Sequence, residues 1–598
     1  MAGSLAPRVH YPAFGRRYSS IISLMSNPSL LLVAALAAFA VSGCQTLATK
    51  TTPPAPAQSK SLPYKSRVTP PKEVDADLVF NYLAGEIGAQ RGDTEAAYEH
   101  LIQAATRAKD PVAAAQAARM GIKLEDMEKA AAATRLWIEY DPNSLPAREL
   151  ATILALRRND LEAALKQADA ALEISQATGK DGYLQLATVL AGEKLDSKIE
   201  LMQKLVQKHP DNAHAYYALA LVASQRKQFQ LAHQALDQAI RLKPDWDKPY
   251  LLRAQGYSLQ GDTGAAEQTL ADAASRHPSP LLYQALGQLR MQQKRYDKAL
   301  EAFREAARLA PEDTDILATI GILAIQTKQW ELARQTWQKI ARVGNFHKQQ
   351  EAWYFLGQLE ELQKHPKEAI EYYRKVKGGR FQQEARLRLA ILIGKQGDLD
   401  QAAKLFREIR LTNPQQATQT FITEAQLYKE EGHPRRAMAV YNEAIAANPR
   451  NSDLLYARGL LAADMGDVAQ AERDFRAVLD LVPDDTDALN ALGYTLADQT
   501  DRFEEAYAYV SRAYSQNPDS AAILDSMGWV MYRLGKIDKA LEFLRKAAAK
   551  LQNGEIAAHL GEVLWVSGNR DEARQVWQQA LKFAPDNPKL KQTIQRFE

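Results

Sequence analysis

At 598 residues with a single cysteine, the chain is too long for one compact core and holds no internal disulfide. Its formal charge of +3 comes from the first residues: Arg8, Arg16 and Arg17 precede Cys44 with no acid among them, so the remainder is neutral. A balanced body without a basic block excludes nucleic acid as the main partner.

The first element is an apolar run, Leu30 to Val41, with the length of a signal-peptide core and too short to span a bilayer comfortably. It ends in Val41, Ser42, Gly43 and Cys44, which resembles the lipobox of bacterial lipoproteins, whose cysteine is lipidated and becomes the new N-terminus. Met25 is an alternative start that leaves a leader without Lys or Arg, and Tyr18, Ser19 and Ser20 after the arginine pair match a twin-arginine signal poorly. The resemblance implies a lipid anchor on Cys44. Gln45 in place of an aspartate favours the outer membrane, with the chain facing the periplasm.

From Gln45 to about Asp75 the sequence reads as a tether. Pro53, Pro54, Pro56, Pro63, Pro70 and Pro71 forbid regular helix. Fully extended as polyproline, some 30 residues reach on the order of 90 Å.

Helical repeats begin near Asp77. Gly85, Ala97, Leu101 and Ala104 mark a first pair, with Pro111 about two residues late, and Ala130 with Pro142 marks the second. Between Leu145 and Pro210 the pattern degenerates: the stretch around Gly179 interrupts it, the helices near Leu195 to Gln207 look short, and no register is assigned. From Asn212 it sharpens, and from Asp453 to Pro585 most copies show a glycine, an alanine about twelve residues on, and a proline about twelve after that. Gly459, Ala471 and Pro483 are followed by Gly493, Ala506 and Pro518, and Gly561, Ala573 and Pro585 close the series. Pro449, Pro483 and Pro518 are spaced by 34 and 35 residues, a period that means a stacked array.

The pattern dictates a helix pair per repeat. Gly459 and Ala471 let the two helices approach, Phe475 fills the gap between them, and Pro483 ends the second. One such pair cannot bury its apolar face alone, so neighbours stack. Spacing and residue size together resemble the tetratricopeptide repeat. The expected fold is all-α, a superhelical solenoid of about fifteen helical hairpins. The expected organisation is a leader at 1–43, a lipidated tether at 44–75, degenerate repeats at 76–211, regular repeats at 212–587 and a capping helix at 588–598.

No catalytic motif emerges: there is no phosphate loop, HExxH or GxSxG, and no cysteine beyond Cys44. Pro210 separates His209 from His214 and argues against a metal pair, and Asp484 and Asp485 read as helix-start charges. No cofactor or metal is expected, and the chain reads as a non-enzyme. First helices line the concave face of such a solenoid, and on them Tyr456, Asn490, Tyr494, Asp525, Trp529, Tyr532 and Trp565 are expected to be presented together for binding protein segments. The competing reading has Trp529 and Trp565 packed between repeats. Tyr456, Tyr494 and Asp525 stand where clamps for a C-terminal carboxylate use Lys and Asn, which argues against such a clamp.

The lipobox, the tether and the repeats beginning at Asp525 and Ile556 together resemble the proteobacterial outer-membrane repeat lipoproteins that partner a carboxyl-terminal processing protease. The resemblance implies an adaptor that holds and activates a periplasmic serine protease and delivers peptidoglycan hydrolases to it. A scaffold for exopolysaccharide export or envelope assembly would show the same features. A cell-wall enzyme would need a non-repeat domain, and no stretch of that size is visible.

Overall fold

The computed structural model describes residues 75–179 and 181–597. Cys44, the leader and all but the last residue of the proline-rich tether lie outside them. The described residues form 31 α-helices and one 3₁₀ turn, without strands: fifteen hairpins and a closing helix, as the repeat spacing predicts.

The helices follow one another with short turns. They are α1 Ala76–Arg91, α2 Thr94–Ala108, α3 Pro111–Lys123, α4 Met127–Tyr140, α5 Leu145–Arg157, α6 Leu161–Ala177, α7 Gly182–Ala191 and α8 Ser197–Lys208. Next come α9 Ala213–Gln225, α10 Phe229–Leu242, α11 Asp247–Leu259, α12 Thr263–Arg276, α13 Pro280–Gln292, α14 Tyr296–Leu309, α15 Thr314–Gln326 and α16 Trp330–Val343. The series continues with α17 Phe346–Leu362, α18 Pro366–Lys375, α19 Gln382–Lys395, α20 Leu399–Thr412, α21 Ala417–Glu430, α22 Pro434–Ala447, α23 Ser452–Asp464 and α24 Val468–Leu481. It ends with α25 Thr486–Gln499, α26 Phe503–Gln516, α27 Ala521–Arg533, α28 Ile537–Lys550, α29 Gly554–Val566, α30 Arg570–Phe583 and α31 Pro588–Phe597. These residues fall into two compact units, 75–316 and 317–597.

Local chemistry sets the helix ends. Asp93, Asp126, Asp262, Asp467 and Asp485 each accept a backbone N–H of the first turn that follows, which satisfies a donor the helix cannot. Asp485 is thus the helix-start charge its position after Pro483 predicts. Pro449, Pro483, Pro518 and Pro585 each follow the capping residue of a second helix, where a chain that must stop loses nothing by lacking an N–H. Pro111 instead opens α3, at the first position where its missing donor is harmless, so its late placement marks the next hairpin.

In several hairpins the packing is a glycine facing a large side chain. A Cβ on Gly459 would fall 2.7 Å from Phe475, one on Gly287 2.6 Å from Phe303, one on Gly357 2.6 Å from Tyr373 and one on Gly321 2.6 Å from Trp337. In the degenerate stretch a different device appears. Lys198 of α8 is buried, and its ammonium donates to the carbonyls of Leu190 and Glu193 at 3.2 and 2.8 Å, capping the end of the short α7. Burial lowers its pKa.

Candidate functional site

The seven residues singled out from the sequence all sit on first helices of hairpins in the second unit. Tyr456 lies on α23, Asn490 and Tyr494 on α25, Asp525, Trp529 and Tyr532 on α27, and Trp565 on α29. Three of these helices meet through side chains. The Tyr494 hydroxyl donates to Glu555 Oε1 on α29 at 2.8 Å and lies 3.3 Å from His559 Nε2. His559 Nδ1 donates to both carboxylate oxygens of Asp525 at 3.0 Å, and its ring stacks on Trp529 at 4.2 Å. From α31, Lys589 Nζ donates to Asp498 at 3.1 Å and lies 5.7 Å from the centre of the Trp529 ring.

Asp525, Trp529 and His559 are 1%, 4% and 0% exposed. The expected presentation of Trp529, Asp525, Asn490 and Tyr456 as an exposed set is therefore corrected: these four are buried, and Asp525 and Trp529 are engaged with the neighbouring repeat. The physical reason is periodicity. Tyr456, Asn490, Asp525 and His559 recur at 34, 35 and 34 residues, so they share one register position and stack along the array. Tyr494, Tyr532 and Trp565 are only partly buried. Tyr532 donates to Glu562 at 3.3 Å, and Trp565 stacks on Trp577 at 5.7 Å with Arg570 and Arg574 over its face. Asn490 Oδ1, Trp529 Nε1 and Trp577 Nε1 are among the buried polar atoms without a hydrogen-bond partner.

Tyr494 has one hydroxyl proton; given to Glu555, it leaves the oxygen to accept from His559 Nε2. The charged form of His559 then faces the Asp525 carboxylate. Burial opposes that charge, but Asp525 outweighs it and holds the His559 pKa above the ordinary imidazole value. Burial likewise raises the Glu555 carboxyl. Sequence reasoning missed His559, Glu555, Lys589 and Asp498. The register shared by His559 and Asp525 was the signal that could have found the first.

Among the described residues no group of three or more His, Cys, Asp or Glu side chains is placed to hold a metal. His214 pairs with Asp181 at 2.7 Å and stacks on Trp246, while the carboxylate beside His209 is Asp169, so the two histidines take separate partners. No helix of the described residues is long and apolar enough to cross a membrane.

Models described as "Tetratricopeptide repeat" match residues 194–245, 280–313, 319–385, 384–415, 422–464, 456–521 and 532–596. The chain is 30% identical over 580 residues to the TPR repeat-containing protein PA4667 of Pseudomonas aeruginosa, covering 90% of this chain and 91% of that protein. It is 26% identical over 171 residues to the tetratricopeptide repeat and J domain-containing co-chaperone DNJ1 of Fusarium oxysporum, covering 29% of this chain and 28% of that one. Among solved structures it is similar to PilF of Pseudomonas aeruginosa, with a TM-score of 0.28 and 18% identity over 36% of this chain and 97% of that one.

Proposed function

The chain belongs to the tetratricopeptide-repeat family, and from that premise we propose that it is an outer-membrane-anchored periplasmic adaptor that binds and activates a carboxyl-terminal processing serine protease and presents peptidoglycan hydrolases to it. The observation that carries the reading is the continuity of the array. From Ala76 to Phe597 hairpin follows hairpin with short turns, so what the described residues offer a partner is a recognition surface built from repeats.

The anchor rests on the sequence from Val41 to Cys44, and the choice of a processing protease rests on the resemblance carried by that lipobox, the tether and the repeats from Asp525 and Ile556 onward. On the binding face, the partly buried Tyr494, Tyr532 and Trp565 provide aromatic anchors beside charged groups, a composition suited to protein segments. Trp529 packs beside Tyr532 at 5.2 Å, and Tyr456, Asn490 and Asp525 are buried.

Affinity purification of the tagged chain from solubilised envelopes, followed by mass spectrometry, tests the reading. Recovery of a processing protease with cell-wall hydrolases is expected. Recovery of export or assembly components instead would transfer the function to a scaffold for exopolysaccharide export or envelope assembly. Cys44→Ala is expected to release the chain from the membrane fraction, and continued retention would remove the anchor.

A further inference from the structure

The two ends of the described array are finished differently. At the C-terminal end α31 packs on α29, burying Leu590 and Thr593 and setting Phe597 against Trp565 and Trp577. At the other end α1 leaves Val79, Phe80, Leu83 and Ile87 exposed at 44%, 61%, 58% and 47%, an apolar stripe at helical spacing.

The next hairpin shows what such a stripe is for. Gly88 faces Ala97 as Gly121 faces Ala130, 33 residues on, which aligns α1 with α3. Phe80 then corresponds to Ala113 and Ile87 to Met120, while Val79 corresponds to Val112, 60% exposed, and Leu83 to Gln116. Ala113 is fully covered, clustered with Ala104 and Ala105 of α2, and Met120 packs against the group that includes Tyr98 and Leu101 of α2. Phe80 and Ile87 of the α1 stripe thus stand where α3 meets its preceding helix, and Phe80 is far larger than the alanine at that place inside the array. In the sequence before α1 stand Pro53, Pro54, Pro56, Pro63, Pro70 and Pro71, and proline does not continue a helix.

We infer that the α1 stripe is covered by α1 of a second copy of this chain, in an antiparallel pair about a two-fold axis near Leu83. The pattern is self-complementary. Phe80 and Ile87 flank Leu83 almost symmetrically, so in an antiparallel pair Phe80 of each helix meets Ile87 of the other. The ends complement in charge: Asp75 and Asp77 at the N-terminal end share the single Arg107, and the exposed Arg91 lies at the C-terminal end. A seam of two such helices is small beside the roughly 1,200–2,000 Å² of stable complexes, so the pair is reversible and must be trapped to be seen. It brings two arrays together N-terminus to N-terminus.

The test is oxidative cross-linking of the full-length chain carrying Leu83→Cys, with the native chain and Glu139→Cys, an exposed position on α4, as controls. The expected result is a covalent homodimer at least tenfold more abundant for Leu83→Cys than for either control, abolished when Phe80→Asp is added. Three results would overturn it. Equal dimer from Glu139→Cys would show chance collision. No dimer from Leu83→Cys while its introduced thiol reacts freely with a maleimide would show an open face. No dimer with that thiol shielded from maleimide would show that the apolar leader or lipid covers it instead.

Discussion

His559 is a fully buried histidine that joins three successive first helices, through Asp525 on α27, Tyr494 on α25 and its own position on α29. Its native pKa is raised, so its contribution to stability is complete below the ordinary imidazole pKa and fades as pH rises through the native one. Glu555, also raised, acts with the same sign: its contribution is complete below the ordinary carboxyl range and declines above it. The urea midpoint of the native chain should therefore fall as pH rises from the ordinary imidazole range through the raised native pKa, and His559→Gln should flatten that slope. His559→Ala should cost about 3–5 kcal/mol, because it leaves Asp525 buried without its partner. A midpoint equally pH-dependent in the Gln variant would place the titration elsewhere. The sequence pointed to Asp525, Tyr494 and Trp529 but not to the contacts that join them to His559. The residues that form this network are scattered at the repeat period, and the aromatic neighbours Tyr494 and Trp529 invited a reading as exposed anchors.

The helix hairpin is the scale at which sequence and structure agree most closely. Gly459 with Phe475, Gly321 with Trp337 and Gly357 with Tyr373 were readable because a missing side chain at one fixed spacing from a large one has a direct steric meaning. Lys198 shows why the degenerate stretch was not readable to the same degree. Its register there is held by an ammonium on two carbonyls, and a lysine in a sequence gives no sign that it is buried. The tightest helix approach makes a prediction. A Cβ at Gly121 would fall 2.5 Å from the backbone nitrogen of Ala130 and 2.7 Å from its Cα, atoms that cannot rotate away. Gly121→Ala should force α3 and α4 apart at a cost of about 1–3 kcal/mol, read as a lowered urea midpoint. An unchanged midpoint would mean that the pair has room to separate.

For the whole molecule, a chain of hairpins that mostly touch only their neighbours makes stability a local quantity. Leu590 of the closing helix is fully buried, and Leu590→Ala should cost about 2–5 kcal/mol there. Hydrogen exchange should quicken in α29, α30 and α31 while α1 to α14 keep their native protection. Faster exchange throughout would show one cooperative unit instead. The glycine and ring pairs carry a last consequence, for descent. Gly287 and Phe303, Gly459 and Phe475, and Gly561 and Trp577 each lie sixteen residues apart inside one hairpin, and the ring differs from copy to copy. A crossover in the turn between hairpins passes both members of a pair to the recombinant gene, and the array grows or shrinks by a whole hairpin with every fit intact. A crossover between the two helices hands a glycine shaped for phenylalanine a tryptophan, or the reverse. The joints where such genes can be cut and rejoined are thus written into the packing, one per hairpin.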